Sequence, residues 1–232
     1  MPLTLTPKRL LITFSAVAGS LIAMHCLIQV IRFSTGNERV YGLVYAFSLG
    51  ADGNIPTFYS SFALLFCSLL LLFIAVADHE IQKLHSGYWF GLMAIFIFLS
   101  IDEMLMIHER LIEPVKALLN TSGAFNYAWV IPYGIGLLVF AAIYFRFLFK
   151  LPARTAILFA IAGTLFVSGA IGLEMVGGWQ EELYGTTSIA YVVTQSFEEI
   201  LEIVGIIIFI YALSDYIATH IKDASLAISS SK

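Results

Sequence analysis

Long apolar runs separated by short polar stretches follow one another from Leu10 to Leu213. Six of them are long enough to cross a bilayer, for which a helix needs about 20 mostly apolar residues. They predict spanning helices at 10–31, 57–77, 88–107, 128–149, 155–174 and 188–213. Only short connections remain, so residues 1–232 read as one all-α domain, a polytopic membrane protein built as a six-transmembrane-helix bundle. The longest connection, Phe33–Pro56, contains an apolar piece, Val40–Leu49, that is too short to span. An interfacial or re-entrant segment is expected there. The turn formers of Gly50–Pro56 then lead into the second span.

Composition agrees with that pattern. The chain is 59% hydrophobic and 12% charged, whereas soluble domains carry about 25% charged residues. Lys8-Arg9 and the run beyond them, with Ala16-Val17-Ala18, resemble a signal peptide. Because the run continues to Ile31, an uncleaved first helix is expected. Cys26 and Cys67 both fall within spans and imply no disulfide framework. Lys8, Arg9, Lys83, Arg146, Lys150, Arg154, Lys222 and Lys232 lie on one side. Arg32, Arg39, Arg110 and Lys116 lie on the other, so both termini are expected in the cytoplasm. The net charge of −4 comes without a basic patch, and no nucleic-acid partner is expected.

Against this apolar background a few polar groups stand out. Ser100–Arg110 brings Asp102, Glu103, His108, Glu109 and Arg110 to the outer end of the third span. Glu174 ends the fifth span, and the sixth carries Tyr191, Gln195, Glu198 and Glu202 on one face, with Glu199 beside them. An acidic residue at the centre of a span costs about 2.5–3.5 kcal/mol, and each Leu, Ile or Phe returns only about 0.3–0.6. The three mid-span glutamates must therefore be protonated, paired, hydrated or bound to a cation. On a continuous third helix Glu103 could pair with Arg110, while His108 would point away unless the helix breaks near Ile107. The second, third, fifth and sixth helices are expected to enclose an acidic cavity open to the outer side.

Milder readings apply elsewhere. His25 in the first span is expected to be a packed, hydrogen-bonded core residue. Ser60 and Ser61 are expected to be helix caps or, at the same level as the acidic stretch, part of its site. The fourth span has no charge and reads as scaffold, with Trp129, Tyr133 and Tyr144 as interface anchors. In the fifth, Ala160, Thr164, Ser168 and Gly172 form a small-residue stripe expected to meet a neighbouring helix.

Pro56-Thr57-Phe58-Tyr59-Ser60-Ser61 and Asp102-Glu103, with His108-Glu109-Arg110 four residues further on, resemble a group of bacterial multi-pass membrane proteins. The shared motifs are P-T-x-x-S-S and D-E-x4-H-E-R. The resemblance implies a bacterial inner (cytoplasmic) membrane and a single undivided chain; it implies no reaction.

Three functions suit these residues. The first is a site for a divalent metal ion, with Asp102, His108, Glu109, Glu174, Glu198 and Glu202 as ligands. Carboxylate oxygens favour Mg, Mn, Fe or Ca, and His108 admits Zn. Such an ion could serve a metal-dependent hydrolase, with Glu103 or Glu199 as general base and Ser60, Ser61, Arg110 and Gln195 as further polar groups. The substrate would be a small molecule, an ion or a membrane lipid arriving from the outer side. The second function is a proton or cation pathway through the same carboxylates. The third is a protonated carboxyl network that fixes helix packing.

Overall fold

The computed structural model describes residues 6–81 and 85–221, so Lys83, Lys222 and Lys232 of the charge count lie outside the described residues. Helices follow in the order α1 (Pro7–Thr35), α2 (Leu43–Phe47), α3 (Ile55–Ile81), α4 (Ser86–Leu105), α5 (Ile112–Leu119) and α6 (Val130–Leu148). Next come α7 (Ala153–Val167), a π-helical turn (Ser168–Leu173), α8 (Glu174–Tyr184) and α9 (Ile189–His220). No strand occurs among these residues. Six helical stretches are long and apolar enough to cross a membrane: α1, α3, α4, α6, α7 continued through α8, and α9. The expected six-helix bundle of membrane-spanning type is therefore the observed fold.

Local chemistry sets the ends of these helices. Thr6 caps α1 by accepting a hydrogen bond from the Arg9 amide, and Gly36, at φ 67°, ends it. Asn54 caps α3 through the Thr57 amide at 3.1 Å. This leaves Ser60 and Ser61 with another task. Ser61 donates to the Ser100 carbonyl at 2.7 Å, and Ser100 donates back to the Ser61 carbonyl at 2.8 Å. That reciprocal clasp joins α3 to α4 where their small side chains allow close approach.

Two helix pairs run close together, α3 with α4 and α7 with α9, and α1 and α3 both lean on α9. The core lies where α3 and α9 meet, around Leu71, Ile74, Ile210 and Leu213. The small-residue stripe fell on the wrong face. Thr164, Ser168 and Gly172 are exposed, while Thr155, Ala162 and Gly169, seven residues apart, are buried. A Cβ at Gly169 would sit 2.7 Å from the Glu198 carbonyl oxygen, so glycine is needed for that crossing. Nor does the fifth helical stretch end at Glu174, as expected; the π turn carries the helix on to Tyr184.

The expectation for His25 holds. It is buried; Nδ1 accepts from the Leu49 amide at 3.0 Å, which leaves Nε2 to donate to the Ser196 hydroxyl at 2.8 Å. It thereby pins the segment before α3 between α1 and α9. That segment holds α2 and buried Leu49, and brings Gly50 against Gln195 of α9.

Candidate functional site

Helix α4 stops at Leu105 because Met106 adopts the left-handed conformation, φ 51° and ψ 48°. The chain then folds back. The His108 amide donates to Asp102 Oδ1 at 2.8 Å, and the ring Nδ1 lies 3.3 Å from the same oxygen. This is the break that a one-face arrangement of the acidic stretch required. It also removes the expected Glu103–Arg110 pair: no ion pair joins them among the described residues, and Arg110 is exposed outside the cavity wall.

Beyond Asp102 a cavity of about 840 Å³ opens. Its carboxylates come from separate segments: Asp52 before α3, Asp102 and Glu103 on α4, Glu109 after the break, Glu174 opening α8, and Glu198, Glu199 and Glu202 on α9. His108 and Gln195 complete the polar wall, with Trp129, Tyr127, Tyr133 and Tyr191 around them. Among the described residues the wall contains no lysine, arginine, serine, threonine or cysteine. Ser60 and Ser61 are absent from it, and Ser61 is engaged in the α3–α4 seam. The fourth wall is α6, whereas α3 contributes only Leu64. That corrects the expected enclosure, which omitted the fourth span.

Within the wall the groups are linked. Gln195 donates to Glu198 at 3.1 Å and to Glu174 at 3.4 Å. Glu174 also accepts from Trp129 Nε1 at 2.9 Å. Glu174 and Glu198 thus converge on one amide group, and two carboxyl groups so close are favoured when one of them holds a proton. Gln195 itself is held between Gly50 and Gly177, where an added Cβ would come within 2.9 and 3.0 Å of it. The π turn just before Glu174 shifts the face that α8 presents, a feature frequent at functional sites.

Outside the spans, His108 is pulled down by burial and pulled up by more through Asp102, Glu103 and Glu174, so its pKa is raised. Burial and then the Asp52 carboxylate push Glu109 up to about 7. Burial and the 2.7 Å hydrogen bond to Tyr191 push the Tyr127 phenol up.

All six expected metal ligands, Asp102, His108, Glu109, Glu174, Glu198 and Glu202, line this one cavity, as do Glu103, Glu199 and Gln195. Yet among the described residues no three histidine, cysteine or acidic side chains are placed to hold a metal ion. The donor chemistry suits an ion; the arrangement does not.

Sequence reasoning missed Asp52, Trp129 and Tyr133 as site residues. Trp129 and Tyr133 had a usable signal: four residues apart, they share a helix face at the level of the acidic stretch.

Fold and site together define a helical bundle of membrane-spanning type with an acidic cavity between its helices. The chain belongs to the family described as Domain of unknown function (DUF8692), whose model matches residues 12–217. No curated protein and no solved structure matches it.

Proposed function

We propose that this chain is an integral membrane protein whose cavity is a cation site reached from the outer side of the membrane. One observation carries the reading: carboxylates from five segments face one space whose wall, among the described residues, holds no lysine or arginine. The balancing positive charge must come from a ligand or from protons. The excess of Lys and Arg at the opposite helix ends supports an outward opening and cytoplasmic termini. The motif resemblance supports a bacterial inner membrane.

The convergence of Glu174 and Glu198 on Gln195 favours proton exchange within this site, and with it a proton or cation pathway. A resident divalent metal has weaker support because no three donors converge. A hydrolase relying on a serine, threonine or cysteine nucleophile lacks one in the wall among the described residues.

The test compares wild type with Glu198→Gln, Glu202→Gln double variant in lipid nanodiscs. Proton uptake, cation binding and metal content by mass spectrometry are measured on both. The expected result is proton uptake and cation binding in the wild type, both reduced in the variant. Equal uptake and binding by the two proteins overturns the reading. Near-stoichiometric metal lost in the variant would make a metal the cation.

A further inference from the structure

The cavity does not end at the carboxylates. On α9 its wall runs from Tyr191 to Phe209, about 27 Å at 1.5 Å per residue. Polarity changes along it in the same sense on separate helices. On α9, Glu198, Glu199 and Glu202 give way to Gly205, Ile206 and Phe209. On α4, Asp102 and Glu103 give way to Leu99, Phe96 and Leu92, and on α6 Tyr133 gives way to Leu137 and Phe140.

The lower chamber is open where a packed seam would be closed. An added Cβ at Gly136 of α6 or Gly163 of α7, both in the wall, meets no atom within 4 Å. At Gly205 it would come within 2.8 Å of the Ala162 carbonyl oxygen. Protein interiors are otherwise packed like organic crystals. Helix α6 is not among the closely packed helix pairs of the described residues. Its hydrogen bonds to the rest of the bundle lie towards its ends, Trp129 to Glu174 at 2.9 Å and Tyr144 to the Tyr88 carbonyl at 3.1 Å. Between them Tyr133 meets the Phe98 ring, and the chamber lies below that contact.

At the polar end, Glu103, Glu199 and Glu202 are enclosed by the protein, line the cavity and have no hydrogen-bond partner among the described residues. They lie close enough to act on one another electrostatically. A primary ammonium carries three donors and no acceptor. It holds oxygens at about 2.8 Å, further apart than a small metal ion does at about 2.1 Å. Three donors that need three acceptors match unpartnered carboxylates, and the aromatic faces of Trp129 and Tyr133 in the same wall add to the attraction for an ammonium. Among the described residues the wall holds no lysine or arginine and its imidazole, His108, already faces Asp102, so a phosphate head would meet mainly carboxylates.

We propose that the cavity binds a long-chain primary amine without a phosphate, its ammonium among Glu103, Glu199 and Glu202 and its hydrocarbon chain in the chamber between α4, α6, α7 and α9. The proposal rests on the cation-site reading and adds the class of ligand.

The test is equilibrium binding of labelled hexadecylamine to the full chain in phosphatidylcholine nanodiscs, corrected for uptake by empty discs. Competitors are hexadecanol, lysophosphatidylethanolamine and butylamine. The variants are Gly163→Leu, Gly136→Leu and Glu199→Gln with Glu202→Gln, each checked for an unchanged melting profile. Saturable binding is expected, weakened at least about tenfold by either leucine and by the glutamine pair. Proton uptake should survive the leucines and fall with the glutamines. Hexadecanol and lysophosphatidylethanolamine should compete poorly, and butylamine weakly. Binding unaffected by both leucines overturns the chain's placement while leaving the cation site standing. Effective competition by lysophosphatidylethanolamine overturns the phosphate-free head. Binding lost with the leucines but equal for hexadecanol, and untouched by the glutamines, overturns the cationic head and the cation site with it.

Discussion

One oxygen, Oδ1 of Asp102, receives both the backbone amide of His108 at 2.8 Å and an approach from its ring at 3.3 Å. The residues are six apart and on different faces of an ideal helix, so this contact exists only because Met106 breaks α4. A non-glycine residue in the left-handed region costs about 1–2 kcal/mol. A hydrogen bond to a charged acceptor contributes about 1.5–3 kcal/mol, enough to offset it.

Replacing Asp102 by Asn should therefore destabilise the fold by about 1–3 kcal/mol, and the loss should depend on pH. His108 has a raised pKa through Asp102. The stability it contributes is fully present below its unfolded value of about 6.5 and is lost as pH rises through the folded value. The gap in melting temperature between wild type and Asp102→Asn should thus narrow towards alkaline pH. A gap that widens would refute the pairing.

Met106→Gly should stabilise the break, by about 0.5–1 kcal/mol, because glycine adopts positive φ without penalty. Chemical denaturation in mild detergent measures this directly. A clear loss of stability would mean that the Met106 side chain contributes more than its backbone strain costs.

Glu109 is the opposite case to a salt-bridged carboxylate. With its pKa pushed up to about 7, the folded state holds a proton that the unfolded chain, near 4.3, has released. Stability falls as pH rises through that window. Glu109→Gln should be neutral near pH 4 and stabilising above about pH 7, and exposure to solvent limits the gain to about 1 kcal/mol. Equal effects at both ends of a pH series of unfolding curves would exclude this reading.

Two glycines on the same helical stretch should respond differently to alanine. At Gly169 the new Cβ meets the Glu198 carbonyl oxygen at 2.7 Å and Glu202 Cγ at 2.9 Å. The cost should be about 1–3 kcal/mol, as the α7–α9 seam is forced apart. Gly163→Ala meets no atom within 4 Å and should gain up to about 1 kcal/mol of helix propensity. Thermal melts of the two variants side by side decide the matter.

The Ser61–Ser100 clasp joins helices and does not face the cavity. Ser61→Ala should cost about 0.6 kcal/mol, a typical value for hydrogen bonds between membrane helices. Cation binding should be unchanged; a binding defect at native stability would return Ser61 to the site.

Hydropathy along the chain is enough to mark six long apolar helices and to show that acidic residues of distant segments gather towards one side. These follow from hydropathy and from rise per residue, properties each segment carries alone. Hence Asp102, Glu174, Gln195, Glu198 and Glu202 were all legible as candidates, and His25 as a core residue. Tertiary structure decided which faces meet. The left-handed Met106 turned His108 onto Asp102, and the π turn carried α7 on into α8 beyond the expected end at Glu174. The demands of close approach chose Gly169 over Gly172. Trp129 and Tyr133 became wall residues because α6 stands across the cavity from α9. Such choices depend on breaks of one or two residues and on contacts between segments far apart in the chain, and helical periodicity encodes neither.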